Sequence, residues 1–336
     1  MRTTRLGDTG IETTIIGFGC ADLFRQPTRA GRARLLAAAL DAGIRHFDVA
    51  PMYGLGRCET ELGRFARGRR ERIVIATKFG ISPRRAARTL APAQGPLHRL
   101  LSAAPPLNEK ARPGQADPRA GTIGSVLYCN SGYDAVAARS SLERSLRSLG
   151  TDYVDVLFLH DPAPGDLRSD DVRSYLESAH EAGKLRAWGI AGEPATTLDA
   201  ARRLGPEARI LQLRRDMFSA AAPLPAPGNG RGSILFGVIA RALKRISAHT
   251  ASDEMVARRW SQSLGASATS PNLIASLLLR DALQANVGGP VLFSTHQPAR
   301  ITIAAEAAVP DAGSDSQLET LRRLVAEELL AGEAPL

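Results

Sequence analysis

Short, nearly all-apolar runs recur along the chain, and segments with helical spacing separate most of them. Strands are predicted over Ile15 to Gly19, Arg45 to Val49, Ile73 to Thr77, Val154 to Leu159, Arg186 to Ile190, Ile210 to Leu213, Ile234 to Ile239 and Val291 to Ser294. Helical patterns cover Arg32 to Leu40, Glu59 to Ala66, Ala135 to Leu149, Asp170 to Glu181, Leu198 to Leu204, Asn272 to Leu283 and Gln317 to Leu330. Strands apolar on both faces and alternating with helices belong to a parallel sheet whose outer face is covered. Eight such units predict a closed (β/α)8 TIM barrel in preference to an open sheet. A hairpin precedes it, with Arg5-Leu6, a turn through Gly7-Asp8-Thr9-Gly10, and a return over Ile11 to Thr14. A Rossmann fold would need a G-x-G-x-x-G turn after the first strand, and Gly17-Phe18-Gly19-Cys20-Ala21-Asp22 does not supply it.

Two segments break the rhythm. Ile81 to Gly132 carries seven prolines, at 83, 92, 96, 105, 106, 113 and 118, and reads as a long structureless insertion after the third strand. Such a stretch in a compact domain is either functional or disordered. Rising from the catalytic rim, it is expected to form a flap over the substrate mouth, with Tyr128, Asn130 and Tyr133 near its returning end. Ser219 to Gly232 is rich in Pro, Gly and Ala and leaves little room for a full sixth helix. The expected organisation is one barrel domain over residues 1–336, interrupted by the irregular insertion 81–132.

Composition narrows the functional classes. At 336 residues and 44% hydrophobic content, one barrel of about 250 residues with insertions fits the chain. No apolar run is long enough for a membrane span. Met1 to Arg5 leads into no apolar stretch, so no leader is expected there. Cys20, Cys58 and Cys129 suit a reducing compartment, and the cytoplasm is the expected location. The net charge of +9 could suggest nucleic acid, but the basic residues are scattered and aromatics make up only 5%, too few for a base-stacking platform. An Arg-rich enzyme whose surface favours anionic ligands, such as a dinucleotide phosphate, is the preferred reading.

In a parallel barrel the C-terminal ends of the strands open onto one face, where catalysis sits. Asp48 ends the second strand, and Tyr53 stands in the loop beyond it. Lys78 ends the third strand and His160 the fourth. Hydride addition to a carbonyl builds negative charge on oxygen, which a proton donor must quench. A Tyr stays protonated at neutral pH and can donate. A neighbouring Lys ammonium favours the phenolate left behind, while an Asp carboxylate holds the ammonium in place. His160 can hydrogen-bond the carbonyl and steer it toward Tyr53. Singly each residue has an ordinary structural role; as strand-end motifs in this order they read as an active site.

Leu6 to Ile11 with Ile16-Gly17-Phe18-Gly19, Asp41-Ala42-Gly43-Ile44-Arg45-His46-Phe47-Asp48 with Tyr53-Gly54, and Leu142-Glu143 through Leu149-Gly150 to His160 together resemble the aldo-keto reductase superfamily. The Gly54-x-Gly56-Arg57 loop and the proline-rich insertion are most similar to its sugar-dehydrogenase-like branch. The resemblance implies a (β/α)8 barrel, NAD(P)H-dependent reduction of a small carbonyl or sugar substrate, and a proton-relay tetrad at Asp48, Tyr53, Lys78 and His160. It also implies cofactor contacts at Gly19, Asp48, Gln212, Ile239, Ser294 and Arg300. Oligomeric state is not legible.

Several positions depart from that family's pattern. Ala191-Gly192 stands where the family has a Ser-Asn pair on the nicotinamide carboxamide, whereas Gln212 matches the family's other carboxamide contact. Ile239 takes the place of a stacking aromatic. Arg300 sits where the family grips a 2′-phosphate, which favours NADP over NAD, although Ser294 replaces the Lys that often precedes this loop. Cys20 and Cys58 read as inert small side chains near the rim, and no Cys/His spacing suggests zinc. A non-catalytic nucleotide-sensing subunit on the same barrel is the rival reading.

Overall fold

The computed structural model describes residues 1–84, 86–87, 127–167, 170–219, 224 and 230–331. An antiparallel hairpin of β1 (Thr3–Arg5) and β2 (Glu12–Thr14) opens the chain. Strands β3 (Ile16–Gly19), β4 (His46–Asp48) and β5 (Val74–Phe79) lead to a second antiparallel pair, β6 (Ile81–Pro83) and β7 (Tyr128–Asn130). Then come β8 (Val154–His160), β9 (Leu185–Gly192), β10 (Ile210–Arg214), β11 (Gly232–Phe236) and β12 (Val291–Phe293). The eight strands β3, β4, β5, β8, β9, β10, β11 and β12 pair in parallel and close into a barrel, β12 returning to β3 through Val291↔Ile16. This is the (β/α)8 TIM barrel that the hydrophobic pattern predicts.

Helices α1 (Arg29–Asp41), α2 (Cys58–Ala66), α3 (Ala135–Leu149), α4 (Asp171–Glu181) and α5 (Pro194–Leu204) accompany the first strands. They are followed by α6 (Ala240–Ser252), α7 (Glu254–Leu264), α8 (Pro271–Ala285), α9 (Ala299–Ala307) and α10 (Ala312–Val325). Their starts follow local chemistry. Thr28, Asp134, Ser270 and Asp311 each accept a hydrogen bond from a first-turn amide, satisfying donors a helix leaves open. Helix α3 ends where Gly150 takes a left-handed conformation.

Side-chain alternation divides the core in two. Residues such as Phe18, Phe47, Ile75, Leu157, Trp188 and Leu211 point out of the barrel and pack under the helices. Ala76, Val156, Phe158, Ala187, Ile210, Ile234 and Leu292 point inward and fill it. Leu6 and Ile11, on either side of the hairpin turn, are fully buried in this interior cluster. Asp8 N donates to Gly230 O at 3.0 Å, so the hairpin is stitched to the approach to β11 and plugs the N-terminal end. Only the opposite rim is left for a ligand.

The structure corrects three expectations. The segment after the third barrel strand is not structureless at its ends, because Ile81, Ser82 and Pro83 pair with Asn130, Cys129 and Tyr128. Pro83 is tolerated there because, among the described residues, its strand pairs on one edge alone. The flap itself, residues 88–126, lies outside the described residues. The seventh barrel strand ends at Phe236, not Ile239, since Gly237 turns the chain at φ 72°. Between β11 and β12 stand α6 and α7, which the sequence pattern does not announce. With α8 and α10 they bury Trp260, Leu277, Leu318 and Leu321 in a second outer cluster. Of the Pro/Gly-rich segment before β11, residues 220–223 and 225–229 lie outside the described residues.

Close strand contact is written into Gly189. A Cβ there would lie 1.8 Å from Ile210 O on the neighbouring strand, although the glycine's φ is not in the left-handed region. Gly189→Ala is therefore expected to cost about 3 kcal/mol or more in urea unfolding, as overpacking against immobile backbone does. Gly288→Ala, where a Cβ would meet nothing within 4 Å, should stay within about 0.5 kcal/mol of the parent. Equal losses for the two would show that the strand contact is not limiting.

Candidate active site

At the C-terminal rim, register brings the ends of adjacent strands level. Gly19 lies beside Asp48, and Asp48 beside Ala76. Asp48 is 3% exposed and Lys78 2% exposed, so two opposite charges are sealed in the barrel mouth. Lys78 Nζ donates to Asp48 Oδ1 at 2.5 Å and to Val49 O at 3.2 Å. It reaches Tyr53 Oη at 3.4 Å and lies 5.0 Å from the Tyr53 ring centroid. The Tyr53 and His160 rings meet edge to face, with centroids 6.3 Å apart at 88°. Asp48, Tyr53, Lys78 and His160, drawn from three strand ends and one loop, thus form one cluster.

Electrostatics follow from that packing. Burial alone would lower the Lys78 pKa, but Asp48 and then Tyr53 outweigh it and hold the ammonium above its ordinary value. Burial pushes the Tyr53 phenol up to about 12, with Lys78 opposing the rise and Asp48 adding to it. Tyr53 is therefore a protonated phenol at physiological pH, beside an ammonium that keeps its charge. Deeper in the barrel, burial lowers His46 to about 4, so this imidazole is neutral and stands apart from acid–base work at the rim.

The residues expected to meet a cofactor are dispersed around this cluster. Gln212 is 2% exposed, and its Nε2 donates to Asp48 Oδ2 at 3.1 Å. Its Oε1 is buried without a hydrogen-bond partner among the described residues. A buried carbonyl oxygen in that condition suits a donor such as a carboxamide NH2, so the site fits a nicotinamide. Gly19 packs against Ser294, whose Oγ would lie 2.4 Å from a Cβ on the glycine. Ser294 itself is exposed just past β12. Ile239 is half-buried, precedes the first turn of α6 and packs against two apolar clusters. Arg300 is exposed in the first turn of α9.

Three features of the site were not evident from sequence. The Tyr133 hydroxyl donates to His160 O, and the ring of Tyr133 covers Gly80, so the returning end of the insertion is anchored beneath the site. Asp161 takes a left-handed backbone at φ 49°, tied to β9 by Asp161 N donating to Ala191 O at 2.7 Å. Gly192, where the family's Ser-Asn pair is missing, is packed by Asp161: a Cβ there would lie 2.3 Å from Asp161 Oδ1. The Cys20 and Cys58 thiols are fully buried and raised by burial, as inert side chains are.

With fold and site in view, relatives can be compared. The profile of the aldo/keto reductase family matches residues 15–223, which span the tetrad, Gln212 and barrel strands β3 to β10. The chain is 39% identical over 161 residues to pyridoxal 4-dehydrogenase of Microbacterium luteolum, covering 46% of this chain and 42% of that protein. It is 31% identical over 201 residues to D-threo-aldose 1-dehydrogenase of a Pseudomonas species, covering 58% of this chain and 54% of the relative. The matches thus span about half the length of these relatives. Among solved structures, a glycerol dehydrogenase from Gluconobacter oxydans superposes with a TM-score of 0.69 over 99% of this chain and 98% of its own, at 18% identity, a likeness of fold. By the extent of the family match, this chain belongs to the aldo/keto reductase family.

Proposed function

We propose that the protein is an NADPH-linked carbonyl reductase that converts aldehydes or ketones to alcohols, or in reverse oxidises a sugar lactol, with Tyr53 as proton donor. The observation that carries this is the Lys78 ammonium, held between Asp48 Oδ1 and Tyr53 Oη inside a nearly closed barrel mouth. A reduced nicotinamide, when bound, supplies hydride to the carbonyl carbon. Tyr53 then gives its proton to the carbonyl oxygen, and Lys78 stabilises the phenolate that remains. Asp48 keeps the ammonium charged and oriented. His160, ring edge against Tyr53, donates to the same oxygen and fixes its direction. In reverse, the Tyr53 phenolate takes the proton of an alcohol whose hydride would pass to the oxidised nicotinamide.

Gln212 offers its unpaired Oε1 to the nicotinamide carboxamide, and Gly19, Ser294 and Ile239 line the path of the cofactor around it. Arg300, exposed at the start of α9, is the group for a 2′-phosphate. The family uses nicotinamide cofactors, and the names of two relatives carry a pyridoxal and an aldose, which supports a small hydroxylated carbonyl as substrate. The mutual contacts of the four rim groups favour this enzyme over the nucleotide-sensing alternative. Among the described residues no group of His, Cys, Asp and Glu could hold a metal, and no helix is long and apolar enough to cross a membrane.

Three outcomes are expected. Tyr53→Phe should lower carbonyl reduction by about 10²–10⁴-fold while NADPH fluorescence titration still shows binding; reduction near the parental rate would remove Tyr53 as donor. Lys78→Met leaves Asp48 a buried charge that keeps the Gln212 amide but has lost its cation, and should lose about 3–5 kcal/mol in chemical denaturation at neutral pH. Because the folded Lys78 pKa is raised, its contribution is fully present below its unfolded value and fades only as pH climbs through the higher folded one. Between about pH 6 and pH 9 the parent should therefore lose no stability through Lys78 itself. Arg300→Ala should weaken NADPH binding by about 1.5–3 kcal/mol and leave NADH nearly unchanged; equal losses would assign Arg300 to structure and withdraw the preference for NADP.

A further inference from the structure

We propose that Asp161 is a specificity residue whose carboxylate accepts a hydrogen bond from a hydroxyl that the substrate carries next to its reacting carbonyl. This rests on the carbonyl-reductase reading above and names the kind of carbonyl compound that the site selects.

The backbone comes first. Asp161 is one of two non-glycine residues among those described with positive φ, and the left-handed region opposes any side chain. Strained residues of this kind persist where their surroundings hold them, and here the bond from Asp161 N to Ala191 O clamps the end of β8 onto β9. The conformation turns the carboxylate back toward the barrel mouth. Asp161 Oδ2 lies 4.0 Å from His160 Nε2, and the side chain is 31% exposed, enough for a ligand to reach it. Its charge also adds to the rise of the Tyr53 phenol pKa, which places it within electrostatic reach of the proton donor.

Gly192 is the second half of the device. Its own φ is outside the left-handed region, so its lack of a side chain serves space and not backbone freedom. A Cβ would fall 2.3 Å from Asp161 Oδ1 and 3.2 Å from Thr197 Oγ1. The hollow is therefore kept for the carboxylate. Thr197 Oγ1, fully buried at the edge of that hollow, has no hydrogen-bond partner among the described residues. The first turn of α5 begins there as well, and its exposed amide dipoles favour a negative charge.

A carboxylate has about four acceptor sites, and the 31% exposure of the Asp161 side chain opens part of it to a substrate donor. Beside His160, a bound carbonyl would present its neighbouring carbon to Asp161. A hydroxyl on that carbon gains a charge-assisted bond there, and a bare methylene does not. Sites built to bond a hydroxyl discriminate strongly against analogues that lack it.

Two aldehydes of equal carbon count test this, glyceraldehyde with hydroxyls and propanal without. The full-length protein is assayed with NADPH, measuring kcat and KM separately for parent, Asp161→Asn and Asp161→Ala. The parent should prefer glyceraldehyde. Asp161→Ala should lower the ratio of the two kcat/KM values by about 10- to 100-fold, chiefly through the KM for glyceraldehyde, with Asp161→Asn in between. Gly192→Ala, which fills the hollow and leaves the carboxylate in the chain, should lower the ratio in the same direction. A ratio unchanged in the variants, whatever the loss in absolute rate, would make Asp161 a structural residue and overturn the proposal. A parent with no preference for glyceraldehyde would overturn it too. Failure of the parent to reduce either aldehyde would instead defeat the reductase reading, and this proposal with it.

Discussion

An ammonium sealed inside protein keeps its proton only where a negative charge opposes the cost of leaving water. In this barrel Asp48 is that charge, and much of the rim is arranged around it. One carboxylate oxygen holds Lys78 from β5, and the other holds Gln212 from β10. Strands that are not neighbours in the sheet are thereby joined across the mouth through a residue of β4. The pair in turn fixes the height of the ammonium against the Tyr53 hydroxyl, and Tyr53 sets the edge against which the His160 ring packs. The opposite end of the barrel is filled with Leu6, Ile11 and inward-facing aliphatic residues, so water has one direction of approach.

Much of this was legible in the chain because a parallel barrel leaves a strong periodic trace. Buried strands must be largely apolar on both faces, and runs such as Val154 to Leu159 or Ile210 to Leu213 meet that demand with one polar residue each, Asp155 and Gln212. The polar residues that end them then stand out: Asp48, Lys78 and His160 were found because each interrupts an apolar run. Helices α6 and α7 were lost for the converse reason. The stripe of α6 is Ala242, Ile246 and Thr250, small or polar enough to read as irregular, and α7 buries only Trp260 and Leu264 along its length. Their burial depends on α8 and α10, a tertiary fact that local pattern does not carry.

The rim loops were the hardest to read, since their geometry comes from dihedral angles and not from periodicity. No pattern marks Asp161 as left-handed. Gly192 could be recognised as a departure from relatives, but not as the space into which a neighbouring carboxylate turns. Tyr133 was placed near the returning end of the insertion, yet its burial and its bond to the His160 carbonyl follow from β6 pairing with β7, a contact between segments about fifty residues apart in the chain. Sequence thus delivered the chemical groups, while their orientation emerged from packing.

Closure through β3 and β12 has a consequence for how the molecule is made. Ile16 has no partner on one side until Val291 arrives, and the hairpin residues Leu6 and Ile11 occupy an interior that has no walls until then. During folding the first barrel strand therefore waits, with one edge open and its apolar plug unsheltered, for the eighth, β12. Such long-range pairing is slow to form and leaves adhesive surface on the partial chain. Until that seam closes, the open edges of β3 and β12 are the parts of the barrel most exposed to wrong strand pairing.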